Sequence, residues 1–384
     1  MKIAVDSWTL ANRFRCQGTY VYTQNLIREF KKLAGKETAI VFSLFASSRN
    51  GNDAIHIAPE DGFELCSSTL LDYDRLWRFG GAGLSASRAH ADVMFIPTSA
   101  TLPLGHVPAV CTIHDVTPIT MPSHSAPVSA MQRVLLKGCA HFSRTIITSS
   151  ECSKKDIVTH LGVPEKKVVV IHDGCDQSLF NTNPPDIAAL AALHARLGIN
   201  KPYLLHHGTI QPRKNLKRLI EAFRLMLSND ADLDFDLVLA GRRGWASDEI
   251  ISAATESNGG GRVILTGIVD DGDLALLIKG ATLAVVPSLY EGFSLPMVEA
   301  MACGVPTVAS KTSCLPEISG NALAYFDPLS CEEMAACMQT VLRSSELQIR
   351  LRQNGIARAS EFTWERCARQ TLDVLINAGK AGRN

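Results

Sequence analysis

The chain has 384 residues with 38 Lys and Arg against 38 Asp and Glu, a zero formal charge that argues against a nucleic-acid binder, which is normally visibly basic. Its length exceeds what one hydrophobic core usually serves and predicts two domains. Eleven cysteines, an odd total with no C-x-x-C pair, fit no complete disulfide set and point to a reducing cytosol. No stretch approaches ~18 uninterrupted apolar residues, and residues 1–6 open directly on a strand, so neither a membrane span nor a signal peptide is expected.

In chain order, apolar runs at 3–5, 40–45, 93–96, 109–113 and 145–148 alternate with helical stretches such as 22–33, the pattern of βαβ units around a mostly parallel sheet. Residues 81–86 satisfy the relaxed G-x-G-x-x-A dinucleotide pattern, but they follow 74–79, which is not a buried strand, so a nicotinamide site is rejected. The run at 109–113 exits into His114-Asp115; taken alone, His114 reads as a core or capping histidine and Asp115 as the cap of the next turn. Residues 132–144 form a mildly basic helix with Arg133, Lys137 and Arg144. A connector with Pro184, Pro185 and an Ala/Leu-rich helix spans 181–200. The strand pattern then restarts at 203–206, 237–240, 262–265, 283–286 and 307–309, predicting a second sheet.

The restart carries Leu204-Leu205-His206-His207-Gly208-Thr209-Ile210-Gln211-Pro212-Arg213-Lys214-Asn215. Arg213 and Lys214 stand at a strand-to-helix junction, where a planar fork and a compact point charge together suit the growing charge of a departing diphosphate. An ordinary solvated helix start explains the same two cations. Gly241-Arg242-Arg243-Gly244 and Gly267-Ile268-Val269 follow the next two strands, at the carboxyl ends where ligands sit in open α/β sheets, although turn glycines would look alike. Asp232, Asp234 and Asp236 imitate a metal-binding D-x-D and read instead as a solvated strand entry.

Residues 289–306 are the most informative stretch: Leu-Tyr-Glu-Gly-Phe-Ser-Leu-Pro-Met-Val-Glu-Ala-Met-Ala-Cys-Gly-Val-Pro. After a buried strand, Gly292 lets main chain approach a ligand, Ser294 is the expected N-cap, and Pro296 suits a first helical turn. The amides of Gly292, Phe293, Ser294 and Leu295 would then point outward as phosphate-binding donors. Glu291 precedes the turn and Glu299 lies about one turn into a helix ending near Gly304 and Pro306. A glycosidase pair is the chemical rival: were 291–299 wholly helical, the acids would be roughly 12 Å apart at the backbone, beyond the ~5 Å and ~6.5–9.5 Å of hydrolytic pairs. Thr363 is a good N-cap for a terminal amphipathic helix running to about residue 376.

The 289–306 run resembles the E-x7-E element of the retaining glycosyltransferases of family four, glycosyl transferases group 1, and 208–215 resembles a mannosyltransferase-like G-T-x-x-P-R-K-N variant of their G-R-x-x-x-x-K. In that variant Lys214 matches the family lysine, Thr209 stands where the arginine usually is, and Arg213 is the candidate to replace it. Ile146 to Ser153 and Val168 to Asp176 resemble further family stretches, so the likeness runs from residue 3 to about 376. It implies an α/β GT-B fold of two Rossmann-like domains facing each other across a cleft: 1–180 for the acceptor, 181–360 for the donor, and 361–384 crossing back to the first. It implies catalytic roles for His114, Arg213, Lys214 and Glu291. Donor contacts are implied at Gly18, Gly208, Thr209, Gly241, Gly267, Val269, Gly292, Phe293, Ser294, Leu295 and Glu299, with Glu299 on the nucleotide ribose. No metal and no cofactor are implied. The expected partners are a nucleotide-diphosphate sugar, best read as GDP-mannose, and a glycan or lipid-linked glycan acceptor of cell-surface polysaccharide synthesis. Peripheral contact with the inner face of the membrane through the basic helix is the further implication. A GT-B epimerase or hydrolase, or a sugar-nucleotide binder without catalysis, remains the alternative.

Overall fold

The computed structural model describes residues 1–10, 18–34, 40–46, 62–68, 70, 73–121, 126–256 and 261–381; Cys16 and Gln17, just before Gly18, lie outside them. The chain forms two units, Met1–Gly174 with Trp364–Asn384, and Cys175–Thr363. Residues 175–180 and 361–363, which the sequence assigns to other segments, belong to the second unit. There Cys175 bridges Thr363 in a parallel pair and donates its amide to Phe362 O at 3.1 Å.

Short runs rich in Val, Ile and Phe become the strands of a parallel sheet, the central ones buried on both faces and the outer ones less so. In the first unit these are β1 (Lys2–Val5), β2 (Val41–Ala46), β3 (Phe63–Ser67), β4 (Val93–Ile96), β5 (Ala109–Thr112), β6 (Thr145–Thr148) and β7 (Val168–Val170). Their order is β3-β2-β1-β4-β5-β6-β7, every pairing parallel. Helix Gly18–Ala34 turns Leu26, Ile27 and Phe30 inward, and Phe30 stacks on Phe42 at 4.9 Å, as Phe42 does on Phe63. The terminal helix Trp364–Lys380 packs beside it, against β4, β5 and β6.

The second unit contains β8 (Tyr203–His207), β9 (Asp236–Ala240), β10 (Val263–Gly267), β11 (Leu283–Val286), β12 (Thr307–Ser310) and β13 (Ala324–Phe326), in the order β10-β9-β8-β11-β12-β13 and again all parallel. Leu216, Leu219, Ile220, Phe223 and Met226 form the buried stripe of helix Leu216–Asn229, which packs on helix Cys331–Arg343. Both sheets are doubly wound, so each has a crevice where strand order reverses: β1 beside β4 in the first unit, β8 beside β11 in the second.

Strands β3, β7 and β13 are absent from the sequence reading. Each is an outer strand, and β7 and β13 have only three residues, too short for a periodicity to show. The dinucleotide-like glycines have a packing explanation. Residues 82–88 are helix Ala82–Arg88, and a Cβ at Gly83 would collide with the carbonyl of Leu104, so the helix can seat against that segment only through glycine. Asp234 pairs with Lys201 at 2.5 Å and Asp236 with Arg262 at 3.3 Å, at the entry to β9. The basic stretch lies in helix Ala126–Phe142, with Arg144 beyond its end; Leu135, Leu136, Cys139 and Ala140 are buried while Val134 and Phe142 are exposed. Among the described residues no helix is long and apolar enough to cross a membrane.

Gly83→Ala is expected to destabilise the protein by about 1–3 kcal/mol, the usual cost of forcing an extra methyl into a packed contact. Urea unfolding measures it, and an unchanged midpoint would mean the helix shifts freely.

Candidate active site

The site is built at the crevice between β8 and β11. Three neighbouring strands end in glycines of positive φ: Gly208 (138°), Gly241 (149°) and Gly267 (70°). Gly208 donates to Ala240 O at 2.8 Å and Gly241 to Gly267 O at 2.9 Å. A Cβ on Gly241 would overlap the Gly208 carbonyl, so these strand ends lie against one another as bare main chain. Thr209 is half-buried next to this row, and its methyl lies over Gly244.

Beyond Gly208 the chain makes a 3-10 turn, Pro212–Lys214, followed by Asn215 in the left-handed region at φ 59°. Asn215 Nδ2 donates to Pro328 O at 2.7 Å and pins the turn. From it, Arg213 and Lys214 both reach Glu291: Arg213 Nη1 donates to Oε2 at 2.8 Å and Lys214 Nζ to Oε1 at 2.6 Å. Arg213 also donates to Tyr290 O and accepts the Leu289 amide at 2.9 Å, so the two loops are joined by main chain as well. Ser313, itself at φ 56°, accepts the Glu291 amide at 3.1 Å and donates to the Glu291 carbonyl at 2.6 Å.

Only 8% of the Lys214 side chain and 6% of that of Glu291 is exposed, so these charges interact with little screening. Burial pushes the Glu291 carboxyl up, but Arg213 and Lys214 overcome it and hold the group well below the usual carboxylate range. Burial lowers the Lys214 ammonium, with Glu291 acting against that and Arg213 adding to it. His206, on the last turn-out of β8, is pushed down to about 3 by burial and then by Lys214, and is therefore neutral. Its Nδ1 donates to Val285 O at 3.0 Å, leaving Nε2 buried without a partner among the described residues.

Helix Leu295–Ala302 begins after Glu291, with Pro296 in its first turn, and Gly304 at φ 70° follows its end. Because 291–294 are loop, the two acids do not share a continuous helix. Ser294 stands at the N-cap position but does not cap with its side chain: it is left-handed at φ 75°, which turns the hydroxyl away from the helix amides, and Oγ is buried without a partner among the described residues. Phe293 packs edge-on against Phe362 at 5.4 Å, so its ring is spent on the core. Gly292 and Leu295 flank it in the same loop and first turn. Glu299 lies one turn on, its Oε2 accepting from His207 Nε2 at 2.9 Å. Val269 is half-buried just past β10.

The remaining two candidates belong to the first unit. Gly18 is exposed at the start of helix Gly18–Ala34. His114 follows β5; its Nε2 donates to Pro97 O at 3.2 Å and its ring meets Tyr22 edge-on at 4.7 Å. Burial lowers its pKa and keeps it neutral near pH 7. Ser153 donates to the His114 carbonyl at 3.1 Å, while Ser150 caps helix Glu151–Leu161 and Asp115 accepts from the Thr117 amide at 2.9 Å. The second unit thus brings together Arg213, Lys214, Glu291, Glu299 and the glycine row. Sequence reading gave no role to His206, His207 or Ser313; two histidines closing a buried strand were the available signal for the first two.

Two doubly wound parallel sheets with this cation–carboxylate cluster at a strand-order crevice define a glycosyltransferase of the GT-B class. Residues 17–179 match the family described as Glycosyltransferase Family 4 and residues 192–358 that described as Glycosyl transferases group 1, and the chain belongs to this family. It is 31% identical over 291 residues to O-antigen chain mannosyltransferase B of Escherichia coli, covering 75% of each chain. It is 27% identical over 281 residues to the serotype-specific mannosyltransferase WbdA of E. coli, 72% of this chain but 34% of that one. The fold is similar to sucrose-phosphate synthase from Thermosynechococcus elongatus, with a TM-score of 0.75 at 19% identity over 99% of this chain and 100% of that one.

The folded Glu291 pKa lies below its ordinary 4.5, so the stability it supplies is complete above that value and is lost as pH falls towards the folded one. Glu291→Gln cannot ionise and leaves two cations unpaired, at a cost of about 3–5 kcal/mol near neutrality. Melting curves of the two proteins are expected to differ at pH 7 and to begin converging only as the pH drops below about 4.5, meeting in strong acid. A gap that persists unchanged into acid would contradict the ion pairing.

Proposed function

We propose that the protein is an anomer-retaining hexosyltransferase that moves mannose from GDP-mannose to a hydroxyl of a growing cell-surface glycan or lipid-linked glycan. The observation that carries the reading is the pairing of Arg213 and Lys214 on one buried carboxylate beside the β8/β11 crevice. Two cations and one anion leave the cluster with a net positive charge, suited to a diphosphate. The identity to a mannosyltransferase named for O-antigen chains supports the choice of sugar and of pathway class.

In this reading the anomeric carbon–oxygen bond to the diphosphate breaks and its electron pair leaves on the phosphate, where Arg213 and Lys214 neutralise it. The acceptor oxygen bonds to the anomeric carbon from the same face, and its proton passes to the departing phosphate. Glu291 and the main chain of Gly292, Phe293, Ser294 and Leu295 hold the sugar, and Glu299 holds the ribose. Gly208, Thr209, Gly241, Gly267 and Val269 line the nucleotide. Roles at the sugar for His114 and at the diphosphate for Gly18 belong to the same proposal. No metal or cofactor takes part in this account. Exposed Val134 and Phe142 beside exposed Arg133 and Lys137 support contact of helix Ala126–Phe142 with an anionic membrane face, next to a lipid-linked acceptor.

The test is a thermal-shift panel of GDP, UDP, dTDP and ADP with their sugar conjugates, without added metal. At a hundredfold excess over Kd the donor is expected to stabilise the fold by about 2.7 kcal/mol, selectively for GDP and GDP-mannose. No shift with any nucleotide would sink the reading, and a shift with UDP alone would replace the donor. Lys214→Ala should retain the fold and lose about 100-fold or more in turnover, measured as acceptor-dependent nucleotide release. Release that is independent of acceptor would mark a hydrolase or epimerase instead.

A further inference from the structure

Consecutive residues of a strand face opposite sides of the sheet, so the two histidines that close β8 cannot serve the same neighbour. His206 faces Lys214 and bonds to β11, while His207 meets the helix that carries the second acid. Both are nearly inaccessible, at 2% and 5% exposure, in a strand otherwise made of Tyr203, Leu204 and Leu205. An apolar side chain would fill a buried strand end at lower cost than an imidazole whose polar atoms must be satisfied. At His207 one ring nitrogen, Nε2, meets Glu299.

We propose that His207 is a positioning residue for ribose recognition: it anchors one oxygen of Glu299 so that the other is presented, already oriented, to the hydroxyls of the nucleoside diphosphate. This rests on the nucleotide-sugar reading of the site. Since a carboxylate oxygen only accepts, Nε2 of His207 carries the hydrogen in the 2.9 Å bond to Oε2. The remaining oxygen, Oε1, makes no hydrogen bond among the described residues. The Glu299 side chain keeps 14% of its surface against 6% for His207, so the acid reaches outward and the imidazole supports it from behind. A long, flexible glutamate would otherwise lose its rotamer freedom only when the ligand arrives, weakening binding. Tied to His207 beforehand, it is fixed by a side chain that the fold itself immobilises.

The consequence is specificity for ribose over deoxyribose. A vicinal diol bonds to the presented oxygen, and a nucleotide without the hydroxyls gains nothing from its orientation.

The experiment measures calorimetric affinities of GDP and UDP, each beside its 2′,3′-dideoxy analogue, for the wild-type protein, His207→Phe and His207→Gln. Phe keeps a flat ring and removes the donor, whereas Gln places an amide donor near the Nε2 position. For the nucleotide that binds, Phe is expected to weaken the ribo form about tenfold, the scale of one charge-assisted hydrogen bond, and the dideoxy form by less than about twofold. Gln should restore most of the discrimination. Equal weakening of both forms would reveal a merely structural role and overturn the inference, as would unchanged affinities.

The imidazole 15N spectrum of the wild-type protein gives a second readout that needs neither variant nor nucleotide. A hydrogen on Nε2 of His207 supports the anchoring bond, and an Nδ1–H tautomer overturns it. Wild-type protein that binds no nucleoside diphosphate would overturn the ribose role together with the nucleotide-sugar reading. Binding by the wild type with no effect of Phe would overturn the role of His207 alone.

Discussion

A carboxylate with 6% of its side-chain surface exposed survives in ionised form only because two cations meet it, and the local structure of the second unit is arranged around that requirement. The 3-10 turn aims Arg213 and Lys214 in one direction, Asn215 fixes the turn to Pro328, and Ser313 holds the main chain of Glu291 at both amide and carbonyl. Each of these residues serves the geometry of a single cluster. Removing Glu291 leaves two cations without their anion, whereas removing either cation still leaves the carboxylate one partner. The two cations carry one more positive charge than the single carboxylate between them, so a further anion can share them with Glu291 still in place.

The glycine row supplies the complementary constraint. Where β8, β9 and β10 end, adjacent segments are hydrogen-bonded through Gly208, Gly241 and Gly267, and no side chain occupies the Gly208–Gly241 contact. A wall of main chain offers amides and carbonyls in place of side chains, with the cations one turn further on.

Much of this was readable in the residues. The apolar runs gave ten of the strands, each four or more residues long, whereas β7 and β13, three residues each, were too short to stand out. Glu291, Lys214 and Arg213 were legible as a constellation because each sits beside a turn signal, Gly292 or Pro212, that fixes where its side chain departs. The substitution at Thr209 was harder to interpret. Only the geometry shows Arg213 sharing the carboxylate of Lys214, since reach across 78 residues is not encoded in local spacing. The same holds for His207 with Glu299 and for Ser313 with Glu291, partners that tertiary structure alone makes neighbours. Ser294 shows the opposite failure: residue type predicted a cap, but a left-handed backbone angle imposed by the loop withdrew the hydroxyl from the amides.

The terminal helix gives the two units different histories during synthesis. Residues 175–363 are one continuous segment and can fold as they emerge, but the first unit's sheet waits for Trp364–Lys380 to cover β4, β5 and β6. At ribosomal rates of about 5–20 residues per second, the intervening segment takes on the order of 10–40 s to make. Throughout that interval the face of the first sheet that carries Val93 stands without the helix that covers it. The half of the molecule made first is therefore the last to be finished.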